Sequence, residues 1–197
     1  MAYQHYTTEA FILAGVPVGE AHRYLTLFTK EFGLLRAVAR SVRAERSKLR
    51  YGLQTFDATR LTLVRGREVW RVTGAMLGGT GHYHFRGNRA VFLLTARLCA
   101  LLRRLLHDEE RNLPLFLLLS DALSYLAASS LDEERIRDVE SVTVLRILAL
   151  LGYRSSDVLL RDIVSTGTLD EEVFSKAAAH RSLAVAEINE LLNVTQL

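Results

Sequence analysis

The feature that most constrains the fold is a series of five short segments with strand character within the first 75 residues, in some of which apolar and polar side chains alternate. Residues 22–29 (HRYLTLFT) show this alternation, and Lys30–Gly33 follows them as a plausible hairpin turn. The five predicted strands are 7–15, 22–29, 34–40, 56–65 and 68–75. Because closing a small sheet leaves few open edges, this pattern predicts a five-stranded antiparallel barrel.

The pattern changes from strand to helix at Gly78–Gly81, which we interpret as a linker. Capping-box sequences at 130–133 and 168–171 indicate helix starts, and Asn112 is a candidate N-cap. We predict four or five helices, including 88–107, 113–128, 130–151 and 168–192. The predicted fold class is therefore α+β, with a barrel domain at 1–80 followed by an all-α helical domain at 81–197.

Composition excludes several classes of protein. A single cysteine, Cys99, cannot form an internal disulfide or a cysteine-cluster metal site, and we expect it to be a small core residue. Arg97, Asp121 and Arg146 interrupt the longest apolar segments, so no membrane span is predicted. We see no secretory signal and expect a cytoplasmic protein.

Charge is distributed unevenly along the chain. Residues 1–80 carry twelve Lys or Arg and six Asp or Glu, a net charge of +6, whereas residues 81–197 carry thirteen and sixteen, a net charge of −3. The basic residues concentrate in 23–50, which holds eight of them against two acids. They are Arg23, Lys30, Arg36, Arg40, Arg43, Arg46, Lys48 and Arg50. Only the first part of the chain should attract an anionic polymer.

A basic face held on a sheet suits a polyphosphate backbone, and we interpret these eight residues as DNA-binding. Cations also decorate strand edges to prevent aggregation, which could account for two or three of them. Nearby aromatic residues could stack on bases, although a small barrel must bury some of them, and we expect Trp70 in the core. These aromatic residues are Tyr24, Phe28, Phe32, Tyr51, Phe56 and Trp70.

The sequence shows no convincing catalytic or metal site. Gly79-Thr80-Gly81 lacks the remaining residues of a phosphate-binding loop, and no serine lies in a nucleophile-elbow sequence. His82 and His84 lack a third ligand, so we interpret them as surface histidines. We expect neither an enzyme nor a cofactor. Two alternatives stay open: an OB-fold module for RNA or oligonucleotides, and an enzyme that holds a phosphorylated small molecule.

Several motifs resemble the RecO family of bacterial DNA repair and recombination mediators. They are Gly-Glu-Ala-x-Arg at 19–23, Leu-Thr-Leu-Phe-Thr at 25–29 and the basic Ser-Lys-Leu-Arg-Tyr-Gly-Leu-Gln-x-Phe at 47–56. After residue 80 the similarity weakens to the helical order, Leu-Gly-Tyr at 151–153 and the final Thr-Gln-Leu.

The resemblance implies an N-terminal OB-fold that binds single- and double-stranded DNA and anneals strands coated with single-strand-binding protein. It also implies partnership with RecR, in some lineages with RecF, and placement of the recombinase RecA on gapped DNA. Many relatives have a four-cysteine zinc module after the Leu-Gly-Tyr position. This chain has Arg154-Ser155-Ser156-Asp157 there and no later cysteine, so zinc is not expected.

The helical domain suggests a second binding surface. A groove between helices could accept the acidic, Phe-ending tail of single-strand-binding protein, which is the guest that the family resemblance implies. Arg97, Arg103 and Arg104 are candidates for the electropositive rim that would hold its carboxylate. They are equally compatible with ordinary exposed arginines on a helix.

Overall fold

The computed structural model describes residues 4–195, apart from 45, 68, 78–87, 108, 129–130, 154, 156 and 166. The predicted linker at Gly78–Gly81, the predicted surface histidines His82 and His84, and the predicted domain boundary at residue 80 lie outside the described residues. The chain divides into two compact units, Met1–His84 with Cys99–Phe116, and Phe85–Leu98 with Leu117–Leu197. Each unit is described by itself.

Five strands form a closed barrel in the first unit, in the order β1-β2-β3-β5-β4. They are β1 (His5–Val18), β2 (His22–Thr29), β3 (Gly33–Ala39), β4 (Ala58–Arg65) and β5 (Trp70–Leu77). Four neighbouring pairs are antiparallel, and β3 pairs with β5 in parallel. One parallel pair is unavoidable, because five strands cannot alternate in direction around a closed ring. This is the OB-fold that the sequence predicts.

Alternation along the strands places one set of side chains inside the barrel. Leu25 and Leu27 of β2 and Leu35 of β3 are each at most 2% exposed, and they pack into one apolar cluster with residues from the other strands. The prediction for Trp70 is confirmed, since this residue is only 3% exposed. Its indole Nε1 donates a hydrogen bond to Glu109 Oε1 at 2.9 Å. The barrel interior is therefore a packed core, and a ligand must bind outside it.

Gly33, at the start of β3, is required by both its conformation and its surroundings. Its φ is +68°, in the left-handed region that favours glycine. A Cβ atom added there would lie 2.0 Å from the Glu110 carbonyl oxygen. The turn between β2 and β3 and the segment around Glu110 are therefore closely packed.

The described residues contain six helices. They are α1 (Arg89–Leu105), α2 (Leu113–Ala128), α3 (Glu133–Leu150), α4 (Val158–Ser165), α5 (Glu171–Ala179) and α6 (Arg181–Val194). Helix α3 is the centre of the second unit, and it packs against α4, α5 and α6. Every residue from Ser141 to Leu148 is buried, and this run includes the charged Arg146. No described helix has the length and apolarity needed to cross a bilayer.

The predicted helix boundaries need three corrections. Asp132 caps α3 by accepting a hydrogen bond from the Arg135 backbone N–H at 2.7 Å, so the N-cap lies two residues after Ser130, the first residue of the predicted capping box. Asp170 likewise replaces Thr168 as the N-cap of α5. The predicted helix 168–192 was wrong as a single element, because the backbone at His180 (φ −118°, ψ 25°) separates α5 from α6. Helix α4 was not predicted.

Candidate nucleic-acid interface

The outer face of β3 begins the candidate interface. Arg36 is exposed between the buried residues Leu35 and Ala37, because side chains alternate between the two faces of a strand. Arg40 follows immediately after the strand and is also exposed. Both guanidinium groups are therefore accessible to solvent.

The basic connection between β3 and β4 is folded. Val42 and Leu53 anchor its two ends in the barrel core, at 2% and 0% exposure. Between them the backbone forms successive turns, from Ala44 N–H to the Ser41 carbonyl (3.2 Å), and from Ser47 N–H to the Ala44 carbonyl (3.0 Å). The cations of this segment are therefore carried on an ordered backbone, which reduces the conformational entropy lost on binding.

Six of the predicted DNA-binding residues are exposed and follow one another along β3 and the connection. Within the described part of the chain, none of the six forms an ion pair with a carboxylate. We call this set the cationic track. It consists of Arg36, Arg40, Arg43, Arg46, Lys48 and Arg50.

Arg43 ties the cationic track to the turn between β1 and β2. Its backbone N–H bonds to the Ala21 carbonyl at 3.1 Å, and its Nη1 donates to the Gly19 carbonyl at 3.1 Å. These bonds fix one end of the connection next to the end of β2. Because a guanidinium has five N–H donors, Arg43 retains donors for an external anion.

Lys30, one of the eight predicted DNA-binding residues, has an internal partner. Its Nζ lies 2.8 Å from Glu9 Oε2, and Arg60 Nη2 lies 3.7 Å from the other oxygen of the same carboxylate. The hydrogen bond from Lys30 is the main cause that lowers the pKa of Glu9. We leave Lys30 out of the cationic track for this reason.

Arg23 also has internal partners. Its Nη1 donates to the Leu53 carbonyl at 2.7 Å, and its Nη2 donates to Thr55 Oγ1 at 3.1 Å. Burial, followed by the nearby positive charge of Arg43, lowers the pKa of Arg23. The Arg23 side chain therefore links β2 to the end of the basic connection through these hydrogen bonds. We leave Arg23 out of the cationic track as well.

The arginines of α1 differ in their surroundings. Arg97 forms two short hydrogen bonds with Glu140, at 2.5 and 2.6 Å, and this hydrogen-bonded carboxylate raises the pKa of Arg97. Arg103 and Arg104 are exposed in the last turn of α1, where positive charge stabilises a helix terminus. The role of all three as the rim of a peptide site stays a prediction.

The second unit contains a groove of about 260 Å³ that the sequence did not locate. Leu145, Val164 and Leu191 form apolar walls, and Tyr153 and Arg161 add polar groups. The groove was missed because Arg161 and Val164 belong to α4, which was not predicted. The groove combines apolar surface with a cation. The sequence led us to expect such a combination near the arginines of α1.

The aromatic residues fall into two classes. Phe28 is fully buried, and Trp70 and Phe32 have ring centroids 5.3 Å apart inside one aromatic cluster, so none of the three presents its ring to a base. Tyr24 and Tyr51 are exposed, at 44% and 75%. The described residues also contain no group of three or more His, Cys, Asp or Glu side chains placed to hold a metal ion.

Residues 1–78, which include the complete barrel, match the family model described as the N-terminal domain of recombination protein O. This chain belongs to the RecO family. A curated relative, DNA repair protein RecO of Thermodesulfovibrio yellowstonii, is 31% identical over 153 residues, which cover 76% of this chain and 58% of the relative.

Other relatives named DNA repair protein RecO extend the similarity into the helical part. The protein of Bifidobacterium animalis is 29% identical over 88% of this chain and 70% of its own length. The protein of Pelotomaculum thermopropionicum is 32% identical over 75% of this chain and 56% of its own length. The chain thus spans little more than half the length of most of the RecO relatives it matches.

Proposed function

We propose that this RecO-family chain is a DNA repair and recombination mediator. It binds single- and double-stranded DNA, anneals complementary strands and helps to load the recombinase RecA onto gapped DNA together with RecR. The cationic track carries the proposal, because six exposed cations lie on one ordered segment without carboxylate partners among the described residues. The names of the relatives, which describe DNA repair proteins, support the same class of function.

The proposed mechanism needs no nucleotide hydrolysis. Two complementary strands repel each other through their phosphates, which condensed counterions neutralise only in part. Cations held on an ordered surface release those counterions when they bind one strand, and this lowers the repulsion that the second strand encounters. Base pairing then supplies the free energy of annealing, and the protein contributes by bringing the strands together.

Salt dependence tests the first step of this mechanism. If about six cations contact phosphates, log affinity for single-stranded DNA should fall with log salt concentration with a slope near −4. The measurement is fluorescence anisotropy of a labelled oligonucleotide at several salt concentrations. Equal affinity for RNA and DNA, without annealing of coated strands, would favour the alternative of a generic oligonucleotide-binding module. A slope near zero would remove the basis of the DNA-binding proposal.

We further propose that the groove of the second unit receives the acidic tail of single-strand-binding protein. Apolar walls suit a terminal apolar side chain, and Arg161 is placed at the groove to hold its carboxylate. Arg161 is exposed, and its Nε donates to the Asp157 carbonyl at 3.4 Å.

Titration of a labelled tail peptide against the full chain tests this assignment. Arg161→Glu should weaken binding about tenfold or more, because a charge-assisted hydrogen bond is lost and a repulsive charge replaces it. The double variant Arg103→Glu/Arg104→Glu is the control and should bind like the original chain. If only the double variant Arg103→Glu/Arg104→Glu lost peptide binding, the peptide site would lie at the end of α1 instead.

A further inference from the structure

The outer face of strands β1 and β2 carries exposed apolar side chains, and the half-buried Val38 of β3 lies beside them. Val16 is 60% exposed, Val18 38% and Tyr24 44%. Outer positions of an antiparallel sheet that faces water are usually polar, which gives the alternation of apolar and polar residues along each strand. Exposed apolar side chains that are grouped together mark a binding surface.

Strand register groups these side chains in one row. Tyr24 of β2 lies opposite Val16 of β1 on one side and opposite Val38 of β3 on the other. Directly paired residues have Cβ atoms about 5 Å apart, so the three side chains form a continuous surface. We call this row, Val16–Tyr24–Val38, the apolar row.

The ring of Tyr24 has no partner among the residues that the structure describes. Its hydroxyl makes no hydrogen bond to them, and its ring makes no aromatic contact with them. The buried aromatic residues of the barrel behave differently, since Trp70 contacts Tyr6 and Phe32 and uses its N–H. The ring of Tyr24 is therefore available to a ligand.

Charge beside the apolar row indicates which ligand fits. The adjacent row places Arg36 of β3 opposite Thr26 of β2, so Arg36 is the diagonal neighbour of Tyr24. Diagonal pairs on a sheet lie about 7–8 Å apart, within reach of an arginine side chain. A flat aromatic ring with a cation beside it matches a nucleotide, whose base stacks on the ring while its phosphate meets the cation.

We propose that Tyr24 is a base-stacking residue of this chain, with Val16 and Val38 as its apolar flanks, and that its ligand is an unpaired base of a single strand. This inference rests on the proposed DNA-binding function and adds selectivity to it. Duplex DNA does not present the faces of its bases, so Tyr24 contributes to single-strand binding and not to duplex binding. The cationic track supplies the part of the affinity that both forms share.

The experiment compares three ligands of equal length, oligo-dT, an abasic oligomer with the same backbone and a duplex, bound to the full chain. Tyr24→Ser should weaken binding of oligo-dT about tenfold or more, since stacking on an aromatic ring contributes substantially per base. Binding of the abasic oligomer and of the duplex should stay within twofold. Tyr24→Phe keeps the ring and should retain oligo-dT affinity, and Tyr51→Ser tests the other exposed tyrosine as the competing stacking residue.

Four outcomes would overturn the inference. These are no loss with Tyr24→Ser, an equal loss on the abasic oligomer, a loss that appears only with Tyr51→Ser, and a change in sedimentation without a change in oligo-dT affinity. The last would assign the apolar row to self-association. If the unaltered chain bound none of the three ligands, the proposed DNA-binding function would fail instead, so the two failures are distinguishable.

Discussion

Reversing the charge of Arg40, Arg43 and Arg46 together should lower the affinity for single-stranded DNA and reduce its salt dependence. All three belong to the cationic track, and Arg40 and Arg46 make no ion pair with a described carboxylate. Removing three of about six phosphate contacts should change the slope of log affinity against log salt from near −4 to near −2. The introduced carboxylates add repulsion, so the affinity loss at low salt should reach about a hundredfold or more.

A matched control uses arginines that lie outside the cationic track. The triple variant Arg103→Glu/Arg104→Glu/Arg137→Glu changes the net charge of the chain by the same amount, and all three residues are exposed. Its slope should stay near −4, because none of the three is among the cations proposed to contact phosphates. If the two triple variants lost the same affinity and slope, the interaction would depend on overall charge and the cationic track would have no special role.

Truncating Leu53 to alanine should destabilise the barrel and its basic connection. Leu53 is fully buried in the barrel core, at the point where the connection returns to β4. Replacing a buried leucine by alanine costs about 2–5 kcal/mol of unfolding free energy, because transfer free energy is lost and a cavity is left. Urea unfolding followed by the fluorescence of Trp70, the single tryptophan, measures this in the unit that contains the barrel.

Leu49→Ala is the control in the same connection. Leu49 packs against the same core but is only partly buried, so its truncation should cost clearly less than that of Leu53. The ordering of the two losses is the test, since both variants remove the same atoms. If Leu49→Ala were as costly as Leu53→Ala, the basic connection would be held in place differently from the structure.

Much of the barrel was predictable because its pattern is local. Alternation, β-rich composition and turn signals predicted all five strands, and β2 has the predicted bounds of 22–29. The boundary errors also have a local cause. Ser130 and Thr168 begin sequences that fit capping boxes, but Asp132 and Asp170 accept the capping hydrogen bonds. An aspartate two residues later competes for the same role, and only the backbone geometry decides between them.

The candidate interface was predictable in composition but not in detail. The cluster of cations is visible in the sequence, whereas the partners of Lys30 and Arg23 lie 21 and 30 residues away along the chain. Such pairs depend on strand register, which the pattern of a single strand does not specify. Exposure of Tyr24 and burial of Phe28, both on β2, likewise required the three-dimensional structure.

Annealing of complementary strands coated with single-strand-binding protein, without ATP, tests the central claim most directly. We predict that the chain accelerates annealing, that the acceleration declines as salt rises, and that the variant with reversed charges at Arg40, Arg43 and Arg46 loses it while the control triple variant retains it. If the chain bound both coated strands yet they annealed no faster than without it, the account of the cationic track as an annealing surface would be contradicted.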